Sequence, residues 1–242
     1  MSDQVLPSTL ISNFDEQYYL KLPQIFYKSA KAYLDHKEIK KIQKAYTFAF
    51  YSHDGQQRRD GSKYITHPVE VAQILLDLRM DPDTICAALM HDVLEDCDVN
   101  KNNLVKLFGE DVAEIVDGVS KLGKLDINAR IDADANNLQK MMLAMSKDVR
   151  VVLVKICDRL HNMRTIEHLP RSKQIKKSKE TIDLYGPLAL RIGMQDIRSE
   201  LEDLAFRCIH PLRASMLESA IKKSSGGRKK IVTKIRKELK KH

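Results

Sequence analysis

Apolar residues recur at helical spacing through nearly the whole chain, and this spacing constrains the fold more than any other feature of the sequence. In the segment PVEVAQILLDLRM, Val71, Ile74, Leu75 and Leu78 occupy positions i, i+3, i+4 and i+7, which share one face of an α-helix. Strand-like alternation with turn dipeptides is absent from the sequence. The chain is therefore predicted to be all-α, with its helices packed as a bundle.

Capping and breaking residues predict where several of these helices begin and end. Asp81 precedes a proline and is expected to cap a helix over residues 82–94. Gly109 is expected to end a short helix, and a longer helix is expected from about Val149 to Arg164. A domain boundary is predicted near residue 195, with helices continuing beyond it.

Composition points to a folded protein of the reducing cytoplasm. The chain has 242 residues, of which 43% are hydrophobic, enough to form a buried core. No apolar run approaches the ~20 residues that span a bilayer, and the N-terminus lacks the layout of a signal peptide. The cysteines are too far apart for a disulfide framework or a zinc knuckle and are expected to be reduced. They are Cys86, Cys97, Cys157 and Cys208.

The positive charge is concentrated in the last part of the chain. The net charge is +8, and residues 221–242 contain ten Lys or Arg and one Glu, so the preceding residues are close to neutral. Such a tail can contact a regulatory protein, a ribosome or another domain, and it equally fits a solvated helix or a linker. It has no aromatic residue to stack on bases, so sequence-specific nucleic-acid binding is not expected.

Two aspartates interrupt apolar helical faces. Asp92 lies seven residues after Ile85, and Asp158 lies seven residues after Val151. A buried carboxylate needs a cation or strong hydrogen-bond donors. A salt bridge to Lys or Arg would satisfy one such aspartate, but the presence of two, one of them beside His91, favours a metal site.

Further polar residues lie within reach of such an ion. Asn162 and Thr165 follow Asp158 by four and seven residues, on the same helical face. Glu95 and Asp96 come one helical turn after the His-Asp pair and could act on water or substrate beside the ion. Taken alone, this acidic pair would also fit an ordinary exposed helix end.

A short polar loop precedes a further histidine. Arg58, Arg59, Gly61 and Lys63 could hold a phosphate or a purine, although a charged loop is often only solvated. His67 follows at a helix entry, where a lone histidine is commonly a cap or a core residue.

Four long segments, in this order, resemble one enzyme family. RRDGSKYITHPVEVA, AALMHDVLED, VDGVSKL and VRVVLVKICDRLHNMRT are similar to the hydrolase domain of the RelA/SpoT homologue family. These enzymes of the HD superfamily remove the 3′-pyrophosphate of the alarmone ppGpp. The similarity extends from about Ala45 to Phe206. It implies an HD-superfamily helical bundle with a metal site in its core.

The resemblance also implies roles for individual residues. The family's metal set falls on His67, His91, Asp92 and Asp158. Its catalytic acidic pair falls on Glu95 and Asp96. Its nucleotide-binding residues fall on Arg58, Arg59, Asn162, Thr165 and Tyr185. The implied ion is Mn²⁺, which suits His and Asp ligands as zinc also does, and the other His-Asp pair, His53-Asp54, is left outside the metal set.

The resemblance implies a domain organisation and reveals departures from the family. Residues 1–195 are expected to form the hydrolase domain, and residues 196–242 a helical extension with a basic tail that leads toward a synthetase domain. The chain is then either an excised N-terminal portion, which the basic helix favours, or a stand-alone hydrolase. Asp60 and Leu190 stand where relatives carry a small hydroxyl residue and a histidine.

The expected activity is manganese-dependent hydrolysis of ppGpp or pppGpp to GDP or GTP and pyrophosphate, in the stringent response. The metal lowers the pKa of a bound water, and the acidic pair orients that water or assists proton transfer. One alternative is an HD phosphohydrolase that acts on another nucleotide, such as a dNTP or a cyclic dinucleotide. The other is a catalytically silent regulatory module.

Overall fold

The computed structural model describes Phe14 and residues 16–123 and 147–224, and these residues are predominantly helical. Within these ranges no β-strand occurs, which confirms the all-α prediction. The α-helices are α1 Gln24–Lys31, α2 His36–Ser52, α3 Thr66–Asp77, α4 Pro82–Leu89, α5 Val93–Asp96, α6 Lys101–Phe108, α7 Glu110–Gly123, α8 Val149–Arg164, α9 Arg171–Glu180, α10 Gly186–Arg191 and α11 Gln195–Ile209. Residues 211–224 are also helical.

Side-chain caps set several helix starts. Asp35 and Glu38 form a reciprocal capping box at the start of α2. The Asp81 carboxylate accepts hydrogen bonds from two backbone N–H groups at the start of α4, with Pro82 in the first turn. Gly109, at φ 93°, ends α6. The Asp81 cap, the Gly109 stop and the helix Val149–Arg164 were all predicted from the sequence and are confirmed.

The prediction of a single helix over residues 82–94 is wrong. Helix α4 ends at Leu89, a turn follows, and the short α5 begins at Val93. The Nδ1 atom of His91 lies 2.8 Å from the carbonyl oxygen of Ala88, which a continued helix would pair with a backbone N–H. His91 and Asp92 therefore do not belong to α4. They lie in the connection between α4 and α5.

The chain divides into two compact units, Met1–His168 and Leu169–His242. In the first unit, α4 packs against α2, α3 and α7, and α8 packs against α3 and α7. Its fully buried core includes Phe48, Leu75, Leu89, Ile115 and Ile156. In the second unit, α11 packs against α9 and α10. The functional division near residue 195 stays a prediction.

None of the described helices combines the length and apolar character that a membrane span requires. All four cysteines are free, two of them buried.

Close packing of α7 on α8 gives a stability prediction. A Cβ atom at Gly118 would lie 2.8 Å from Cγ2 of Val151, whose branched side chain has little rotamer freedom. Overpacking costs about 1–3 kcal/mol, which exceeds the ~1 kcal/mol that Ala gains over Gly in a helix. Gly118→Ala should therefore lower the melting temperature in a thermal unfolding experiment.

Gly186→Ala is the matched control for this substitution. Its added Cβ would meet Oε1 of Glu202 at 3.2 Å, and the end of a glutamate side chain can move away. Gly186→Ala should leave the melting temperature unchanged or raise it. Equal melting temperatures for both variants would contradict the proposed close contact at Val151.

Candidate metal centre

Three buried side chains from separate segments converge in the first unit. His67 lies in the first turn of α3, His91 in the connection after α4, and Asp158 in α8. One potential ligand atom of each lies within 4.8 Å of the other two. Oδ1 of Asp158 is 3.2 Å from Nε2 of His67 and 3.9 Å from Nε2 of His91. We call these three residues the core cluster.

Asp92 borders the core cluster. Its Oδ2 atom lies 3.1 Å from Nε2 of His91 and 3.7 Å from Nε2 of His67. The Tyr64 hydroxyl donates to the same oxygen at 2.6 Å. Asp92 is only partly buried, so its carboxylate can serve as a fourth ligand at the solvent side of the cluster.

The two aspartates of the centre interact with positively charged neighbours. Burial disfavours the Asp158 carboxylate, but Lys155 and the two histidines outweigh it and hold its pKa well below the ordinary value. Burial likewise opposes the charged form of His91, yet the carboxylates of Asp92 and Asp158 raise its pKa to about 9. Burial opposes ionisation of Asp92 too, but His91 outweighs it and holds the pKa of that carboxyl well below its ordinary value. Both aspartates therefore stay ionised because positive charge lies beside them.

The cluster fits a divalent cation. Nδ1 of His91 donates to the carbonyl oxygen of Ala88, so when the ring is neutral its lone pair lies on Nε2, the nitrogen that faces the carboxylates of Asp92 and Asp158. Two imidazole nitrogens and carboxylate oxygens form a donor set that suits zinc and manganese. A divalent metal also supplies the positive charge that the two aspartates require. We therefore infer that His67, His91, Asp92 and Asp158 could hold one ion.

The predicted acidic pair lies next to this centre, on α5. Oδ2 of Asp96 is 3.0 Å from the Tyr64 hydroxyl oxygen. The same hydroxyl lies closer to Oδ2 of Asp92, at 2.6 Å. Partial burial raises the pKa of Glu95, while Lys155 and a hydrogen bond with Ser120 act in the opposite direction. Asp96 therefore borders the centre through Tyr64, and the exposed Glu95 lies near enough to Lys155 and Asp92 for their charges to act on its carboxyl group.

The predicted nucleotide loop folds back on itself and reaches α8. The loop is closed by an antiparallel bridge between Gln57 and Lys63, and it turns at Gly61 with φ 84°. Arg58 donates from Nη2 to Oγ1 of Thr165 at 3.2 Å. The loop therefore brings two of the predicted nucleotide-binding residues together beside the centre.

Asp60, the departure from the family in this loop, has a local structural role. Its Oδ1 atom accepts hydrogen bonds from the backbone N–H and the hydroxyl of Ser62, at 2.8 and 2.6 Å. These bonds lower the pKa of Asp60. Asp60 thus stabilises the turn of the loop as an ionised carboxylate, while Arg59 beside it is exposed.

The other two predicted nucleotide-binding residues are placed differently. Asn162 donates from Nδ2 to Oδ1 of Asp158 at 2.6 Å, so it contacts a candidate metal ligand. Tyr185 is buried in the second unit, at the end of the π-helical segment Thr181–Tyr185. Leu190, the second departure from the family, is exposed in the same unit. The role of Tyr185 in a nucleotide pocket stays a prediction.

The second His-Asp pair has other contacts. His53 is buried, stacks on Tyr64 with ring centroids 4.5 Å apart, and lies 2.9 Å from Gln56 and 3.3 Å from Sγ of Cys97. Asp54 is exposed. Neither residue belongs to the core cluster. His53 therefore supports Tyr64, which in turn contacts Asp92.

Sequence reasoning missed three residues that contact the centre. Tyr64 bonds to Asp92, Lys155 forms an ion pair with Asp158 at 3.1 Å, and the Nδ1 atoms of His161 and His67 are 2.8 Å apart. All three stand inside the segments that resemble the RelA/SpoT family. Lys155 and His161 lie three residues before and after Asp158, a helical spacing that could have drawn attention to them.

Residues 45–195 match the family model described as an HD domain, which covers more than half of the chain. The chain therefore belongs to the HD-domain family. The expected HD-superfamily bundle is confirmed by this match together with the all-α structure.

Curated relatives narrow the family to the RelA/SpoT homologues. The chain is 45% identical to the guanosine-3′,5′-bis(diphosphate) 3′-pyrophosphohydrolase of Vibrio cholerae, over 87% of this chain and 30% of that protein. It is 43% identical to the bifunctional (p)ppGpp synthase/hydrolase SpoT of Escherichia coli, over 86% of this chain and 30% of that protein. It is 48% identical to the GTP pyrophosphokinase rsh of Brucella ovis, over 70% of this chain and 23% of that protein.

These relatives confirm the RelA/SpoT resemblance, and the chain spans at most 30% of the length of each of the three. A solved structure of a metazoan orthologue of SpoT, a protein that hydrolyses ppGpp, matches with a TM-score of 0.53 at 23% identity. The match covers 69% of this chain and 94% of that one. At this identity the similarity supports the fold alone.

The contacts of the two His-Asp pairs predict different metal contents for their variants. His91→Ala removes a buried nitrogen of the core cluster, so the purified variant should lose most of its bound metal. His53→Ala leaves the cluster intact and should retain wild-type metal content. Metal analysis by mass spectrometry after dialysis against a limiting Mn²⁺ buffer measures both. Metal loss from the His53 variant with retention in the His91 variant would contradict the ligand assignment.

Proposed function

We propose that the chain hydrolyses the 3′-pyrophosphate of ppGpp and pppGpp, with Mn²⁺ as its ion, and releases pyrophosphate with GDP or GTP. The observation that carries the proposal is the buried core cluster with an acidic pair at its edge. The similarity to curated proteins named for this activity supports the choice of substrate. The proposal extends to this chain what is known of longer proteins.

Two histidines and two aspartates would hold the ion. His67, His91 and Asp158 offer buried ligand atoms, and Asp92 completes the set from the side of α5. When bound, the ion supplies a Lewis acid that activates water and neutralises charge on the phosphoryl oxygens.

The acidic pair is proposed to perform the proton transfers. A water oxygen attacks the phosphorus bonded to the ribose 3′-oxygen, and the bond between that phosphorus and the 3′-oxygen breaks. Glu95 takes a proton from the attacking water, and its raised pKa suits a group that holds a proton transiently. Asp96, beside the Tyr64 hydroxyl, orients the water. Glu95 then gives the proton that it took from the water to the departing ribose 3′-oxygen, which leaves as a hydroxyl group.

The loop and α8 are proposed to hold the nucleotide. Arg58 and Thr165 contact each other, and the exposed Arg59 is available to a phosphate or a purine face. Asn162, at the centre itself, and Tyr185 are the further proposed contacts. Holding the scissile phosphorus against the activated water is a positioning effect that can contribute a large part of the rate enhancement.

The proposed setting is the stringent response, in the reducing cytoplasm. The four free cysteines are consistent with that compartment. A regulatory protein or a ribosome is the proposed partner of the basic C-terminal residues, whose charge favours an acidic surface.

A direct assay tests the proposed activity. The full chain is incubated with ppGpp and Mn²⁺, and pyrophosphate and GDP are quantified by anion-exchange chromatography. Release of both in equal amounts, abolished by a chelator and restored by Mn²⁺, is the expected result. dGTP and a cyclic dinucleotide serve as comparison substrates. Turnover of either with no attack on ppGpp would contradict the substrate assignment, and intact nucleotides throughout would indicate a silent module.

The acidic pair gives a second test. Glu95→Gln and Asp96→Asn keep the side-chain shape and leave the core cluster untouched, so both variants should bind Mn²⁺ and ppGpp. Turnover should fall by about two to four orders of magnitude, because Glu95→Gln removes the proton acceptor and Asp96→Asn removes the carboxylate that orients the water. Asp98→Asn, an exposed position two residues further along, is the matched control and should retain full activity. Wild-type turnover in both test variants would refute the proposed acid–base role.

A further inference from the structure

His161 joins the candidate metal centre to the predicted nucleotide loop. Its Nδ1 atom lies 2.8 Å from Nδ1 of His67, and it also faces Nη1 of Arg58 at 3.4 Å. The ring is buried, with 7% of the residue exposed. Neither the sequence prediction nor the residue roles implied by the family gave His161 a function.

The donors around His161 determine where its hydrogen lies. A guanidinium has only N–H groups and cannot accept a hydrogen bond, so Arg58 must donate to Nδ1 of His161. That nitrogen therefore carries its single lone pair, and the hydrogen of the 2.8 Å contact belongs to Nδ1 of His67. The lone pair is shared by both donors, and the 3.4 Å contact with Arg58 is the weaker one. His161 is then the tautomer that carries its proton on Nε2.

This arrangement fixes the ligand atom of His67. In the neutral ring that would bind an ion, the hydrogen on Nδ1 leaves the lone pair of His67 on Nε2, the nitrogen that lies 3.2 Å from Oδ1 of Asp158. A metal-ligating histidine commonly donates its other ring N–H to an acceptor, which fixes the tautomer and the ring orientation. Here the acceptor is a second imidazole.

We propose that His161 is a positioning residue: it accepts the Nδ1–H of His67, presents Nε2 of His67 to the ion, and is itself held by Arg58. Helix geometry supports this role. His161 and Asp158 lie three residues apart on α8, so one helix supplies both a metal ligand and the acceptor that orients another. Arg58 spans the next turn of α8, donating to His161 and to Thr165.

The proposal rests on the proposed function only through the assignment of His67 as a metal ligand. It predicts an effect on metal affinity in the absence of any nucleotide. It also gives the predicted nucleotide loop a structural tie to the ligand cluster, since Arg58 shares the acceptor nitrogen with His67.

Two substitutions at His161 separate the acceptor from the bulk of the ring. His161→Asn can place its Oδ1 near the position of Nδ1 and keeps an acceptor, whereas His161→Leu fills the space without one. Mn²⁺ affinity, measured by isothermal titration calorimetry on the full chain, should fall by about 10–100-fold in His161→Leu. His161→Asn should stay close to the wild type. His168→Leu, at a more exposed histidine of the same unit, is the matched control.

Nitrogen NMR of the wild-type chain with isotope-labelled histidine, loaded with diamagnetic Zn²⁺, observes the tautomers directly. The expected spectrum shows a proton on Nδ1 of His67 and an unprotonated Nδ1 on His161. Wild-type Mn²⁺ affinity in His161→Leu, or a proton on Nδ1 of His161, would overturn the proposal. If His161→Leu does not fold, His161→Asn and the wild-type spectrum decide. Both readouts omit nucleotide, so failure of ppGpp hydrolysis would leave them unaffected and would count only against the proposed function.

Discussion

The buried carboxylate of Asp158 is the constraint on which the centre depends. Asp158 lies in the first unit, and both of its carboxylate oxygens have partners. Oδ1 accepts a hydrogen bond from Asn162 and lies near His67, and Oδ2 forms an ion pair with Lys155. An ionised group at such a depth is stable only if its surroundings are arranged around it. Helix α8 carries Lys155, Asp158 and Asn162 at helical spacing, while α3 and the connection after α4 bring the histidines. The packing of these segments and the chemistry of the centre are therefore linked.

The helical fold was predictable because local signals agreed with the final packing. Asp81 and Gly109 limit helices in the sequence and in the structure, and α8 has its predicted bounds. The break after Leu89 was not predictable from periodicity, since residues 82–94 continue the apolar spacing. At the break, the His91 side chain instead contacts the carbonyl oxygen of Ala88, three residues earlier. The sequence prediction placed Asp92 on the same helical face as Ile85 and Ala88, but the helix ends at Leu89, before Asp92.

The candidate site was predictable in its ligand types and less so in its connections. Periodicity singled out Asp158, and the family resemblance added His67 and His91, which the structure brings together. The contacts of Tyr64 with Asp92, and of His161 with His67, join segments far apart in the chain. No local pattern encodes such contacts, because they depend on how the loop after α2 folds toward α5 and on how α3 packs against α8.

The central claim is that four side chains form one divalent metal site. Anomalous diffraction at the manganese edge, from crystals of the full chain grown with Mn²⁺, tests it most directly. The account predicts a single strong peak within ligand distance of Nε2 of His67, Nε2 of His91 and the carboxylates of Asp92 and Asp158. A peak beside His53 and Cys97, or none between the two histidines at saturating Mn²⁺, would contradict it.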